Sequence, residues 1–539
     1  MRQNRWIAAV LAATCLFTIS ACGQRSTTAF PGTPDTDTVV VDITSEPSNL
    51  DPLHFKDGIT VDILRHSMSG LARLDKDDRA VPDMAERWES NENLTATTVY
   101  LRKDAKWANG DSVTAHDFYF SWLTQMNPDT GSYYADFLYS KIKNGKDYYD
   151  GKVSADELGV KVLDDYTLYI EWEHPMTSLG FYFSLPAYMP VNQKFYEEVG
   201  AENFSGEANT MLSNGAYIIT EWVHDDHILL EKNPDYYDAG RIKIDKIKLV
   251  MIGDSSTRVN SFMAGELDMG NLYSDEIGEI TAKDPTAVSA YDDGGAWYIN
   301  FNLADEQLSN LNLRKALAYS LDVQSLLDNV IKDGSVAAAG FVPDAIAGVD
   351  GSYAEARGSL FTYDPDAGKA YLETALQELG CSASDIKLSL MCNDSSYSQT
   401  QAAYLQEQWR SKLGIEVEIA PMAWKARVEA QDSGSYDLFV EGWGPSENDA
   451  ITYLEHYLNG YSGYDSAQYQ ELLAKAIDEG DPAKRQEYLI AAEKQLIDDM
   501  AIGPMYFTRT TYAISSKLTG VARTPFQIFN FCDGAAITK

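Results

Sequence analysis

Apolar and polar positions change period many times along the chain, from alternation to helical spacing and back. Val39-Val40-Val41 is a continuous apolar run, as a strand buried on both faces requires. It leads into the extended Glu46-Pro47-Ser48-Asn49-Leu50-Asp51-Pro52. Val99-Tyr100-Leu101 and the turn Ala108-Asn109-Gly110-Asp111 precede a helix opened by Thr114, with Asp117 standing where a capping box usually has Glu. Phe118, Trp122 and Met126 then share one face, and Asn127-Pro128 stops the helix. The spacing predicts a further helix over 399–412, with Tyr404, Leu405 and Trp409 inward and Gly414 at its end. Ile415-Glu416-Val417-Glu418-Ile419 alternates strictly, which predicts a strand with one wet face. Tyr436 to Val440 is another strand, running into the turn Gly442-Trp443-Gly444-Pro445. Asp481-Pro482 opens a helix towards Met500, and Pro504-Met505-Tyr506-Phe507 returns to extended structure. Helix and strand patterns alternate without an internal repeat, so the expected class is mixed α/β.

The N-terminus has a different pattern. Arg2 and Arg5 precede an uncharged, largely apolar run from Trp6 to Ser20, ending in Ile19-Ser20-Ala21-Cys22. The run is short for a membrane span, which needs about 20 residues, and suits a signal peptide. Its end resembles a bacterial lipobox, which implies that residues 1–21 are removed and that Cys22 carries a lipid. Residues 22–37 are polar and rich in Pro, Gly and Thr, as a tether would be. Membrane contact is expected only through that lipid.

The 81 acidic residues outnumber 43 basic ones, for a net charge of −38. Such a field repels phosphate backbones, so nucleic acid is not an expected partner. With 10 Trp, 33 Tyr and 19 Phe the chain has too many aromatics to stay unfolded, and its 539 residues suffice for three or more domains. Beyond the leader and Cys22 it keeps Cys381, Cys392 and Cys532. An odd number gives no complete disulfide framework. A Cys381–Cys392 pair and buried thiols are both open.

No metalloprotease, nucleophile-elbow, P-loop or dinucleotide motif is present. Ser140-Lys141-Ile142-Lys143 fits S-x-x-K, without the Lys-Thr-Gly that accompanies it in penicillin-recognising enzymes. His224 and His227 flank two aspartates, and a solvated acidic turn is the preferred reading over a metal site. No catalytic residue, cofactor or metal is therefore expected. Tyr133-Tyr134, Trp297-Tyr298, Trp424, Trp443, Tyr453, Tyr457, Tyr461 and Tyr464 stand near turns or strand ends. Half of these are expected in the core and the rest around a ligand cleft.

Several segments carry a resemblance. Glu46-Pro47-Ser48-Asn49-Leu50-Asp51-Pro52 is followed by Pro82-Asp83-Met84-Ala85-Glu86-Arg87-Trp88-Glu89, then by Leu101-Arg102-Lys103-Asp104-Ala105-Lys106-Trp107 and Val113-Thr114-Ala115-His116-Asp117-Phe118. Ser213-Asn214-Gly215-Ala216-Tyr217, Glu231-Lys232-Asn233-Pro234-Asp235-Tyr236-Tyr237, Ala264-Gly265-Glu266-Leu267-Asp268 and Leu313-Arg314-Lys315-Ala316-Leu317 come after. In this order, from about residue 39 to 530, they resemble the large extracytoplasmic solute-binding lipoproteins of ABC importers, the oligopeptide-binding type (solute-binding protein family 5).

The resemblance implies a two-lobed, periplasmic-binding-protein-like α/β fold of type II with an extra inserted domain. It implies a discontinuous first lobe over 38–71, 206–296 and 505–539, the insert at 72–205, and the second lobe at 297–504. The crossings between lobes would lie near Ala296-Trp297-Tyr298 and Pro504-Met505-Tyr506. It further implies a non-enzymatic, monomeric receptor on the outer face of the cell membrane. Its partners would be a peptide or other small ligand and two permease subunits with their ATPases. By the same resemblance Trp424, Gly442, Trp443, Tyr134 and Asp57 contact ligand, with Trp297 and Tyr506 beside them.

The chain departs from the family where ligand termini are met. Ser446 stands where peptide binders carry the Asp that pairs with the ligand amine, and Val440, Gln431 and Ser398 replace cations. Glu447 is the first expected substitute for that Asp, with Asp449 and Glu441 as alternatives. An oligosaccharide is the second ligand reading. A secreted hydrolase is the reading from a different class.

Overall fold

The structure, a computed structural model, describes residues 30–538. The expected signal peptide and lipidated Cys22 lie outside the described residues. Among the described residues the largest sheet has eleven strands. In spatial order its main path runs Val417–Met422, Leu388–Asn393, Leu438–Trp443, Val288–Phe301, Ile502–Ile514, Met269–Leu272, Thr38–Asp42, Lys246–Val250, His227–Lys232 and Tyr217–Val223.

Two of these strands are long, Val288–Phe301 and Ile502–Ile514, and they link the halves of the molecule. At one end Val288 to Asp292 pair with Ala513 to Arg509, and Met269–Leu272 joins from the first-lobe side. At the other end Ala296 to Asn300 pair with Phe507 to Ile502, while Leu438–Trp443 pairs from the second-lobe side. The ladder is interrupted between Asp292 and Ala296 and again between Trp297 and Tyr298. An extra residue in one strand bends it and increases its twist, so the path turns between the halves here. The first break falls at Asp293-Gly294-Gly295, just before the expected crossing at Ala296-Trp297-Tyr298.

Two large hydrophobic cores, with smaller clusters beside them, follow from this layout. One combines Val39, Val41 and Leu249 with Phe118, Trp122, Phe183 and the C-terminal Phe529 and Phe531. The other runs from Ala296 to Phe507 and includes Trp409, Leu405 and Tyr469. The inserted segment has its own four-stranded sheet, Ala85–Ser90, Ala96–Leu101, Thr167–Glu171 and Val160–Asp164. Its interior is nevertheless continuous with the first lobe. The fold is two-lobed α/β with an inserted domain.

Most local readings hold, but Gly442 and Trp443, expected in a turn, end the strand Leu438–Trp443, and the strand expected at 415–419 lies at Val417–Met422. Helix Ala115–Met126 starts at Thr114, whose backbone N–H donates to Asp117 over 2.8 Å, and Phe118, Trp122 and Met126 are fully buried. Helix Ser396–Leu413 ends at Gly414 in the left-handed region, φ 68°, which costs a glycine little. Asp481 caps helix Pro482–Asp498. Within the expected tether at 22–37, residues 30–33 are docked while 34–37 are exposed: Phe30 packs on Phe262 with centroids 5.0 Å apart, and Thr33 N–H donates to the buried Asp268 over 2.7 Å. Lys517 also donates to Asp268, over 3.0 Å, so a buried ion pair fixes the point where the chain enters the first lobe. Cys381, Cys392 and Cys532 are all unpaired.

Candidate functional site

A cleft of about 830 Å³ opens in the second lobe beside the crossing of the long strands. Trp297, Trp424, Gly442 and Trp443, all expected at the ligand, line it together. Trp297 is half-buried and stacks on Tyr506, with centroids 5.9 Å apart and planes 6° from parallel. Tyr506 is buried behind it and accepts from Gln401 Nε2 over 2.9 Å. Gly442 pairs with Trp297 across the ladder, and a Cβ at this glycine would sit 2.8 Å from Trp297 Cε2. Only hydrogen fits there, so this glycine lets the indole lie flat against the strand.

Trp443 is held from its own side. Its indole N–H donates to the Thr452 carbonyl over 2.9 Å, and its ring stacks on His456 at 4.0 Å. Burial pushes the His456 imidazole down to about 4, so this stacking partner is neutral at neutral pH. Trp424, by contrast, is the first residue of helix Trp424–Asp432 and is 64% exposed. An indole so exposed at the mouth of a cleft is available to a ligand.

The charged lining is acidic with one exception. Glu441 is buried and accepts from Asn300 over 2.6 Å and Tyr461 over 2.8 Å; burial raises its pKa, and these donors partly oppose the rise. Asp293, at the break in the long strand, accepts from Gly295 N–H over 2.9 Å and Thr510 Oγ1 over 2.8 Å. Arg427 is the only cation lining the cleft among the described residues. Sequence reasoning missed Arg427 and Asp293. The spacing held a clue to the first, since Arg427 follows Trp424 by three positions and so shares its helix face.

The other expected residues lie elsewhere. Tyr134 stacks on Phe55, centroids 4.9 Å apart, on the first-lobe side. Asp57 caps helix Gly58–Ser67, accepting from Thr60 N–H over 2.8 Å. Burial would raise the Asp57 carboxyl, but the donors of Ser48 and Thr60 outweigh it and hold it below its ordinary value. Tyr134 and Asp57 are neighbours: burial first, then Tyr133, Asp136 and Asp57, raise the Tyr134 hydroxyl. Ser446 shares a 2.6 Å hydrogen bond with Thr452 inside its own turn. Glu447 and Asp449 do not line the cleft. Both are buried against the inserted segment, where Glu447 accepts from the Tyr182 hydroxyl and Asp449 from Ser178 Oγ over 3.1 Å. Among the described residues no cluster suited to a metal occurs, and no helix is long and apolar enough to cross a membrane.

Residues 79–465 match the family described as bacterial extracellular solute-binding proteins, family 5. The chain belongs to this family. The Bacillus subtilis oligopeptide-binding protein OppA is 33% identical over 537 residues, covering 96% of this chain and 97% of that protein. Among solved structures, MppA, a periplasmic murein tripeptide-binding protein in its unliganded open form, superposes with a TM-score of 0.80 at 26% identity, covering 94% of this chain and 98% of that one. Listeria monocytogenes OppA bound to peptide superposes with a TM-score of 0.72 at 28% identity, covering 93% and 99%.

Proposed function

We propose that this family 5 protein is the peptide-receptor subunit of an ABC importer and has no catalytic activity. The observation that carries the reading is the gathering of Trp297, Trp424 and Trp443 around one cleft beside the two strands that join the cores. The volume is within the range of small-ligand sites, and flat rings bury a ligand at low cost in side-chain entropy. The curated relative is an oligopeptide-binding protein, and a peptide occupies the Listeria relative.

The cleft is one wall of the site. Tyr134 and Asp57 belong to the opposite wall, and the lobes close on the ligand by bending at the interrupted ladder around Asp293-Gly294-Gly295. The better superposition on an open, unliganded relative than on a peptide-bound one supports this as the open arrangement. Ligand then selects the closed form by its additional contacts there. The second lobe at 297–504 fits the second core, and the insert at 72–205 shares its core with the first lobe. The closed form docks, as a monomer, on the permease and its ATPases, with the protein held at the outer membrane face by lipid on Cys22.

Small-angle scattering with and without an alanine peptide series tests the closure. The radius of gyration should fall on saturation with a bound peptide. An unchanged radius with a peptide of measured affinity would contradict it. Binding of oligosaccharides with no binding of peptides would replace the ligand class.

A further inference from the structure

Several buried or nearly buried arginines of this protein are firmly engaged. Arg314 gives its Nε to the Met500 carbonyl at 2.9 Å and its terminal nitrogens to Leu308 and Asp499 carbonyls at 2.6 Å. Arg357 meets Glu493 at 2.9 Å and the Val342 carbonyl at 2.7 Å. Arg485 forks onto both oxygens of Asp449, at 2.6 and 3.1 Å. A guanidinium has five N–H donors in a rigid fork, and burying it without acceptors is costly.

Arg427 is as buried as Arg357, at 8% exposure, and is treated differently. Its Nε is buried with no hydrogen-bond partner. Its terminal nitrogens reach only Asn393 Oδ1 and the Val440 carbonyl, each at 3.4 Å, near the outer limit for such a bond. No carboxylate forms an ion pair with it among the described residues. The acid with the largest influence on it is Glu441, which burial pushes towards its protonated form and which is already occupied by Asn300 and Tyr461. The group lies between the rings of Trp424 and Phe439, with its carbon 5.3 and 5.1 Å from their centroids. The ring faces attract the cation, and Arg427 itself lines the cleft. Arg65, Arg73, Arg241 and Arg523 also have unpaired buried nitrogens, but none of them lines this cleft.

We infer that Arg427 is the carboxylate anchor of the cleft: it binds a carboxylate of the ligand, held between the indoles of Trp424 and Trp443. The inference rests on the peptide reading above and adds a specificity determinant to it. Val440 and Gln431 supply no charge beside it, so this one guanidinium answers for the ligand's negative end. A peptide's C-terminus and an acidic side chain both supply this carboxylate chemistry, and the two sources are separable.

The probes are tri-, tetra- and pentaalanine as free acids and as C-terminal amides, with Ala-Glu-Ala amide against Ala-Gln-Ala amide. Binding is measured by calorimetry for wild type, Arg427→Gln and Arg427→Lys, with thermal melts for each. The inference expects at least one neutralised peptide to bind wild type about tenfold or more weaker than its charged partner. A gap in the alanine pairs identifies the C-terminus, and a gap in the Glu/Gln pair the side chain. Arg427→Gln should remove that gap by weakening only the charged ligand, and Arg427→Lys should narrow it. If Arg427→Gln does not fold, the gap in Arg427→Lys decides. Equal binding of charged and neutral forms to wild type overturns the anchor while leaving peptide binding standing, as does a gap that survives in the variants. Failure of every peptide to bind wild type overturns the peptide reading and the anchor together.

Discussion

The Tyr182 hydroxyl donates to the Glu447 carboxylate across the boundary between the inserted segment and the second lobe. Burial pushes Glu447 up to about 7; Lys141 pulls it back and Asp449 pushes it further. A carboxyl raised from 4.5 contributes stability that is complete below its unfolded value and lost as pH rises through the folded one. Glu447→Gln removes that titration. The variant should therefore gain stability relative to wild type as pH rises from about 5 to about 8. Asp62, also pushed up to about 7 by burial, titrates in both proteins and cancels in the difference. Denaturant melts across this range check it, and a difference that does not vary with pH contradicts it.

Trp424 and Trp443 should separate binding from stability. Trp424 is exposed, so Trp424→Ala should leave stability within about 0.5 kcal/mol of wild type. Loss of its contact with ligand, worth about 1–3 kcal/mol, should weaken peptide binding about tenfold or more. Trp443→Ala also loses the bond to Thr452 and the stack on His456, and should lower stability as well. Calorimetry beside thermal melts reads both. Affinity unchanged in Trp424→Ala would remove that indole from the site.

Gly442→Ala tests the fit of the Trp297 indole. The new Cβ would stand 2.8 Å from Trp297 Cε2, and Tyr506 blocks retreat on the opposite face. Overpacking of this kind costs about 1–3 kcal/mol. The variant should melt lower, with altered tryptophan fluorescence and weaker peptide binding. Wild-type melting and affinity would mean that the ring shifts freely.

Much of the fold was legible because it depends on local signals. The Thr114–Asp117 start, the Phe118, Trp122, Met126 face and the Gly414 stop each involve residues within a few positions of one another. The cleft tryptophans came from family resemblance, and four of the ten expected ligand contacts line one cavity. The rest depends on long-range packing. Glu447 and Asp449 lie close in sequence to Trp443, yet partners in a distant segment, Tyr182 and Ser178, draw them away from the cleft. Residues 30–33 lie in a stretch of tether-like composition, and the distant Asp268 and Phe262 explain why they dock. Arg427 is an unremarkable residue in sequence; its missing partners appear only in three dimensions.

Cys22→Ser should release the protein from membranes or leave the precursor uncleaved, because diacyl modification supplies the two chains that stable anchoring needs. Fractionation and intact mass check this. A mature-sized variant that stays with membranes would contradict it.

Native mass spectrometry after incubation with tri-, tetra- and pentaalanine tests the central claim most directly. A peptide receptor should gain the mass of one peptide per chain and release that peptide intact on denaturation. Protein that remains unliganded with every peptide, or peptides returned as shorter fragments, would contradict it.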